Sequence, residues 1–183
     1  MKKRIIALVL AALMTVGIFP AQASALTYEQ TTTAQPKVIW DYLLDAIGNE
    51  YAVAGIMGNL YVESLLLPNN LANTKNKSLG MTDREYTDAV DSGEYEDFAT
   101  DSGGYGLAQW TYKTRKKKLL AYAKAMDGSV GNLEVQLGFM IKELGDSYAS
   151  VFKSLKNASS VREASDVFFV KYEAASDQSE SKK

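Results

Sequence analysis

The chain has 183 residues and a formal charge of −2, from 20 Lys and Arg against 22 Asp and Glu, and it contains neither Cys nor His. Those two absences exclude a Ser-His-Asp triad, a thiol nucleophile, a disulfide, an iron–sulfur site and ordinary His- or Cys-ligated zinc. Carboxylates, Lys, Tyr and hydroxyls remain for any chemistry, in a composition that is globular and long enough for one domain.

The first predicted element is an export signal. Lys2, Lys3 and Arg4 form a basic start, and Ile5 to Phe19 is apolar apart from Thr15 and Gly17. Ala21-Gln22-Ala23 and Ala23-Ser24-Ala25 are small-x-small cleavage signals. Residues 1–25 therefore read as a signal peptide, with an apolar run short for a membrane span. Its removal takes three basic residues and no acid, leaving the mature chain near −5. An exported chain without Cys fits a bacterial outer-surface or wall-associated protein that has no membrane attachment after cleavage. The negative charge speaks against nucleic-acid binding.

Residues 26–37 read as a polar, Thr-rich lead-in containing Pro36. Val38, Ile39, Tyr42, Leu43, Ala46 and Ile47 make a helical stripe that Gly48 can stop. Tyr51 to Val62 is apolar nearly all round, with Gly55 and Gly58 inside, which predicts a buried, closely packed helix. Asn69 to Gly80 reads as a polar loop. Thr82 with Glu85 is a capping box for a short helix to about Asp91, and Tyr95 to Gly106 reads as loop. Helices follow over Lys113–Met126, Leu133–Leu144 and Tyr148–Leu155, and Ser160 with Glu163 caps a last one over Val161–Tyr172. With no alternating strand, the expected fold is mainly α: one domain over 38–173, a long central loop before Gly106, and a polar tail over 174–183.

Glu63 ends the apolar segment Ala52–Val62. A carboxyl there is expected to be partly desolvated, which disfavours its charged form and raises its pKa. A carboxylic acid still protonated near neutrality is what a glycosidase uses on a leaving oxygen. The same position also suits a solvated Glu that marks a helix end. Asn59, four residues back, shares its helical face and could orient the carboxyl or touch substrate. The run Gly103-Gly104-Tyr105-Gly106-Leu107-Ala108-Gln109-Trp110 combines backbone freedom, two flat amphipathic rings and an amide. It predicts the wall of a sugar groove, or alternatively a Gly-rich connection with core aromatics. Lys113, Arg115, Lys116, Lys117 and Lys118 form a basic run, read as a solvated helix face or an attraction to anionic wall polymer.

Gly58-Asn59-Leu60-Tyr61-Val62-Glu63-Ser64, followed after a loop by Gly104-Tyr105-Gly106-Leu107-Ala108-Gln109-Trp110-Thr111, resembles the phage tail lysozyme family of peptidoglycan hydrolases. The Glu-Ser pair with Gly-Leu-x-Gln is also similar to soluble lytic transglycosylases and goose-type lysozymes. The resemblance spans about Val38 to Tyr172. It implies a lysozyme-like helical fold, Glu63 as catalytic acid, Ser64 bracing it, and Gln109 with Tyr105 contacting substrate. Where the family commonly has Arg-Pro after its final Tyr-Glu, this chain has Ala174-Ala175 after Tyr172-Glu173, which leaves the role of Tyr172 open.

A second carboxylate is sought among Glu94, Glu96, Asp97 and Asp101, with Asp101 ranked first because it precedes the Gly-rich run. The expected activity is cleavage of the β-1,4 bond between N-acetylmuramic acid and N-acetylglucosamine. It needs no metal and no cofactor, and it is carried out by a monomer on peptidoglycan strands. Lytic transglycosylation, giving 1,6-anhydro ends, and a non-catalytic wall-binding module are the alternatives. The expected site is Glu63 and Asp101 for catalysis, with Asn59, Ser64, Tyr105, Gln109, Trp110 and Tyr172 for substrate.

Overall fold

The computed structural model describes residues 35–173. The expected signal peptide, all but the end of the expected lead-in, and the expected polar tail lie outside the described residues. The described chain is mainly helical, as expected, and is held as a single packed unit by one contiguous core.

Helix α1, Pro36–Ile47, starts at the proline itself, because the first helical position needs no N–H. Gly48 ends it in the left-handed conformation (φ 75°), donating its N–H back to Leu44. Helix α2, Glu50–Ser64, is capped by Asn49, whose side chain accepts from the N–H groups of Tyr51 and Ala52. The Asn49 amide also donates to the carbonyls of Lys156 and Ala158, fixing where α2 begins relative to the C-terminal half.

The stretch expected as a central loop is partly helical. Helix α3, Asn73–Leu79, occupies most of the predicted polar loop. It buries no residue, so it has no apolar stripe for a sequence reading to find. Helix α4, Asp83–Ser92, begins with the expected capping box, both legs formed between Thr82 and Glu85. A 3-10 turn, Glu96–Ala99, buries Phe98.

Helices α5 (Lys113–Ala125), α6 (Leu133–Asp146), α7 (Ala149–Lys156) and α8 (Val161–Phe168) complete the domain. The second capping box forms in altered form. Ser160 caps Glu163, but the Glu163 carboxylate reaches Ser159 instead of closing the reciprocal leg. Beyond Phe168 the α-helix widens into a π-helical turn, Phe169–Glu173.

Helix α2 is the central element. Ala52, Val53, Ile56 and Leu60 are fully buried, and Gly55 faces α8. A Cβ at Gly55 would stand 2.7 Å from the Ser165 nitrogen and 2.9 Å from the Ala164 Cβ. The crossing is therefore close because this residue has no side chain. Asn59 locks it, donating to the Ser165 carbonyl at 3.1 Å and accepting from the Ser165 hydroxyl at 3.3 Å. Gly55→Ala should push α8 off α2 and cost about 1–3 kcal/mol by overpacking. Urea unfolding measures this, and an unchanged midpoint would show that the crossing is not close-packed.

Candidate active site

Helix α2 delivers Glu63 to the surface and then stops within two residues. Leu65 and Leu66 both adopt left-handed backbone, φ 57° and 63°, and the Leu65 N–H closes the helix onto Tyr61. Two consecutive non-glycine residues in this region cost roughly 1–2 kcal/mol each, and they turn the chain sharply after Ser64. Ser64 itself is buried. Its hydroxyl reaches the Leu60 carbonyl at 3.0 Å and the Leu107 carbonyl at 2.9 Å, donating to one at a time. It thus ties the end of α2 to the Gly-rich segment. Glu63 is left half-buried, and burial raises its pKa above the ordinary carboxyl value.

The Gly-rich segment forms a tight antiparallel turn. Tyr105 and Trp110 exchange backbone hydrogen bonds at 3.2 and 3.0 Å, and Tyr105 also bridges to Leu71. Gly106 has φ 76°, and a Cβ there would fall 2.5 Å from the Gln136 side-chain oxygen. That oxygen accepts from the Leu107 N–H, while the Gln136 amide donates to the Val130 and Pro68 carbonyls. Gln109 also takes positive φ, 44°, and its amide donates to the carbonyls of Asn70 and Gly106.

A cleft of about 520 Å³ runs between these elements. Its charged and polar lining is Glu63, Gln109, Thr111, Tyr112, Arg115 and Glu173, completed by Ala72, Gly104, Ala108 and Phe169. Glu173 ends the π-helical turn with both carboxyl oxygens shut off from solvent. Burial, and after it the charge of Glu63, push its pKa up to about 8 against the pull of Arg115.

Behind the cleft lies a carboxylate hub. Glu143 of α6 accepts from Arg115 Nε at 2.8 Å and Nη2 at 2.6 Å, from the Tyr172 hydroxyl at 2.8 Å and from the Trp110 indole at 3.3 Å. Arg115 also donates to the Tyr172 carbonyl at 3.2 Å and lies 4.5 Å from the centre of its ring.

Of the residues expected at the site, the structure brings Glu63 and Gln109 into one cleft, with Ser64 directly behind. The others lie elsewhere. Tyr105 and Trp110, expected as exposed stacking faces, are 0% and 1% exposed. The Tyr105 hydroxyl is hydrogen-bonded to Thr87, and the Trp110 ring packs edge-on against Phe139. Tyr172 is buried on Phe168 and Glu143. Asn59 is engaged with α8.

Asp101, ranked first as second carboxylate, does not line the cleft. It accepts from Lys116 Nζ at 2.6 Å, from the hydroxyls of Tyr86 and Tyr95, and from the Gly103 N–H. Burial alone would raise its pKa, but these donors, led by the Lys116 hydrogen bond, hold it below the usual carboxylate range. The cleft's second carboxylate is Glu173, a residue quoted in the sequence only as part of the Tyr-Glu ending.

The basic run is split: Lys113, Lys117 and Lys118 are exposed, while Arg115 and Lys116 are buried on separate carboxylates. A signal for this was present. Arg115 and Lys116 share the helical stripe of Leu119 and Ala123, and Glu143 sits between Met140 and Leu144 on the apolar stripe of α6. Among the described residues no group of three or more Asp or Glu is placed to hold a metal ion, and no helix is long and apolar enough to cross a membrane.

Residues 34–183 match the family model described as Phage tail lysozyme. No curated protein and no solved structure matches the chain.

The Lys116–Asp101 pair yields a test that separates support from chemistry. Asp101→Asn leaves a buried ammonium without its counter-charge, which should cost about 3–5 kcal/mol. Because the folded-state pKa of Asp101 is depressed, the stability it contributes is present above its unfolded pKa and lost as pH falls through the folded value. The wild-type-minus-variant difference in urea stability should therefore be full at neutral pH and shrink in acid. A difference that does not vary with pH would contradict this arrangement.

Proposed function

The chain belongs to the phage tail lysozyme family, and from that membership we propose that it is an exported glycosidase acting on peptidoglycan, cleaving the β-1,4 bond between N-acetylmuramic acid and N-acetylglucosamine. The observation that carries this reading is Glu63: a half-buried carboxyl with a raised pKa at the end of a buried helix, in a cleft of about 520 Å³, within the usual range for ligand sites. Glu63 donates its proton to the glycosidic oxygen as the bond to C1 breaks and positive charge develops on the sugar. Gln109 has its amide N–H groups committed to Asn70 and Gly106, which fixes its carbonyl oxygen as an acceptor for a sugar hydroxyl or acetamido N–H. Export by the N-terminal signal and action as a monomer on the wall complete the proposal.

Two observations favour lytic transglycosylation as the second reading. Asp101 is committed to Lys116, and the Glu173 oxygens are closed to solvent, so neither offers an accessible carboxylate to activate water. In that reading the substrate's own C6 hydroxyl closes on C1 to give a 1,6-anhydro end, and one acid/base suffices.

Glu63→Gln should leave the unfolding midpoint in place and reduce lysis of purified sacculi by at least about a hundredfold, the usual scale of a lost general acid. Undiminished lysis would defeat the assignment, and binding to sacculi by a wild-type protein that releases no fragments would indicate a wall-binding module. Mass spectrometry of wild-type digests separates the two reactions: reducing ends mark hydrolysis, 1,6-anhydro ends mark transglycosylation.

A further inference from the structure

Glu173 is a buried carboxyl in the same cleft as Glu63, and neither the sequence motif nor the family match gives it a task. It ends a π-helical turn, a geometry that recurs at functional sites. The residue before it is held at both ends, its carbonyl by Arg115 and its hydroxyl by Glu143, so the backbone carrying Glu173 has little freedom. The titratable and charged groups that face it are Glu63 from α2, Arg115 from α5 and Tyr112 just ahead of α5, with Glu143, Tyr148 and Tyr172 beyond Arg115. Arg115 directs Nε and Nη2 to Glu143 and Nη1 to the Tyr172 carbonyl.

We propose that Glu173 is a positioning residue for Glu63: the two carboxyl groups share one cleft and, between them, one proton. This rests on Glu63 being the proton donor. Two carboxyls in a poorly solvated cleft resist double ionisation, so their titration belongs to the pair. In the free protein the more exposed Glu63 ionises first, and Glu173 retains the proton up to about pH 8. A glycan strand filling the cleft strips the remaining water from Glu63. Its negative charge becomes the more costly of the two, and the proton moves to Glu63. As the C1–O bond breaks, its electron pair leaves with the oxygen, which takes that proton. The hydroxyl that then bonds to C1, from water or from the sugar's own C6, returns a proton to the pair. The arrangement keeps an acid available at a pH where Glu63 alone would have lost it.

The test is the pH profile of kcat/KM for lysis of purified sacculi, which reports the free enzyme. Glu173→Gln should lose least activity near pH 5. Its alkaline limb should lie at least one pH unit below the wild-type limb, so that activity at pH 7.5 falls about tenfold or more. A profile that coincides with wild type, or a loss equal at every pH, overturns the proposal.

A second measurement needs no activity. Carbon-13 NMR of glutamate carboxyls in the wild-type chain should show one titrating near 8. In Glu63→Gln that midpoint should drop, because a neighbouring negative charge has gone. No such carboxyl, or one that Glu63→Gln leaves unmoved, also overturns it. If the coupling is present and Glu63→Gln still lyses sacculi, the failure lies in the assignment of Glu63 as the acid.

Discussion

A buried carboxylate has to be compensated where it stands, and in this protein that requirement organises the site. Glu143 lies deep between helices and meets it with four donors: two from Arg115, one from Trp110 and one from Tyr172. These donors come from three separate stretches of chain: α5, the Gly-rich turn and the π-helical turn. Satisfying one charge therefore fixes three backbone segments against α6. Two of those segments then present Arg115 and Glu173 to the cleft.

The neighbouring residue on α5 performs the same service on another side. Lys116 is wholly buried, donates to Asp101 and to the Gly103 carbonyl, and sits 4.5 Å from the centre of the Phe98 ring. Arg115 thus anchors the C-terminal turn while Lys116 anchors the approach to the Gly-rich turn. Gln136 adds a neutral hub that joins Leu107, Val130 and Pro68. In a chain without Cys, a scaffold of buried polar contacts does the fastening that disulfides provide in many other domains of this size.

The sequence made the helices legible wherever one face is apolar or an end is capped. The stripe from Val38 to Ile47, the nearly continuous apolar run before Glu63 and the Thr82–Glu85 box all correspond to elements of the structure. Helix α3 escaped because none of its residues is fully buried, and the widening after Phe168 escaped because five residues are too few to tell the period of a π-helical turn from that of the α-helix it extends. At the site, the placement of Glu63 at the end of a buried helix was readable from the run that precedes it. Tyr105, Trp110 and Asp101 were misplaced for one reason: residue type names what a side chain can bind, while burial decides whether solvent or substrate reaches it. The indole and phenol find partners inside, and the aspartate finds a lysine whose charge looked like surface. Glu173 was hidden because its partner in the cleft is 110 positions away in sequence, and only the crossing of α2 with α8 reunites them.

The terminal turn has a bearing on vulnerability. A single proteolytic nick ahead of Phe169 would detach, together, the phenol that caps the hub and the carboxyl that lines the cleft. The helices would lose a strut and the cleft a carboxyl in one event. The carboxyl end of this domain is therefore where one cut in the chain strikes the buried hub and the cleft together.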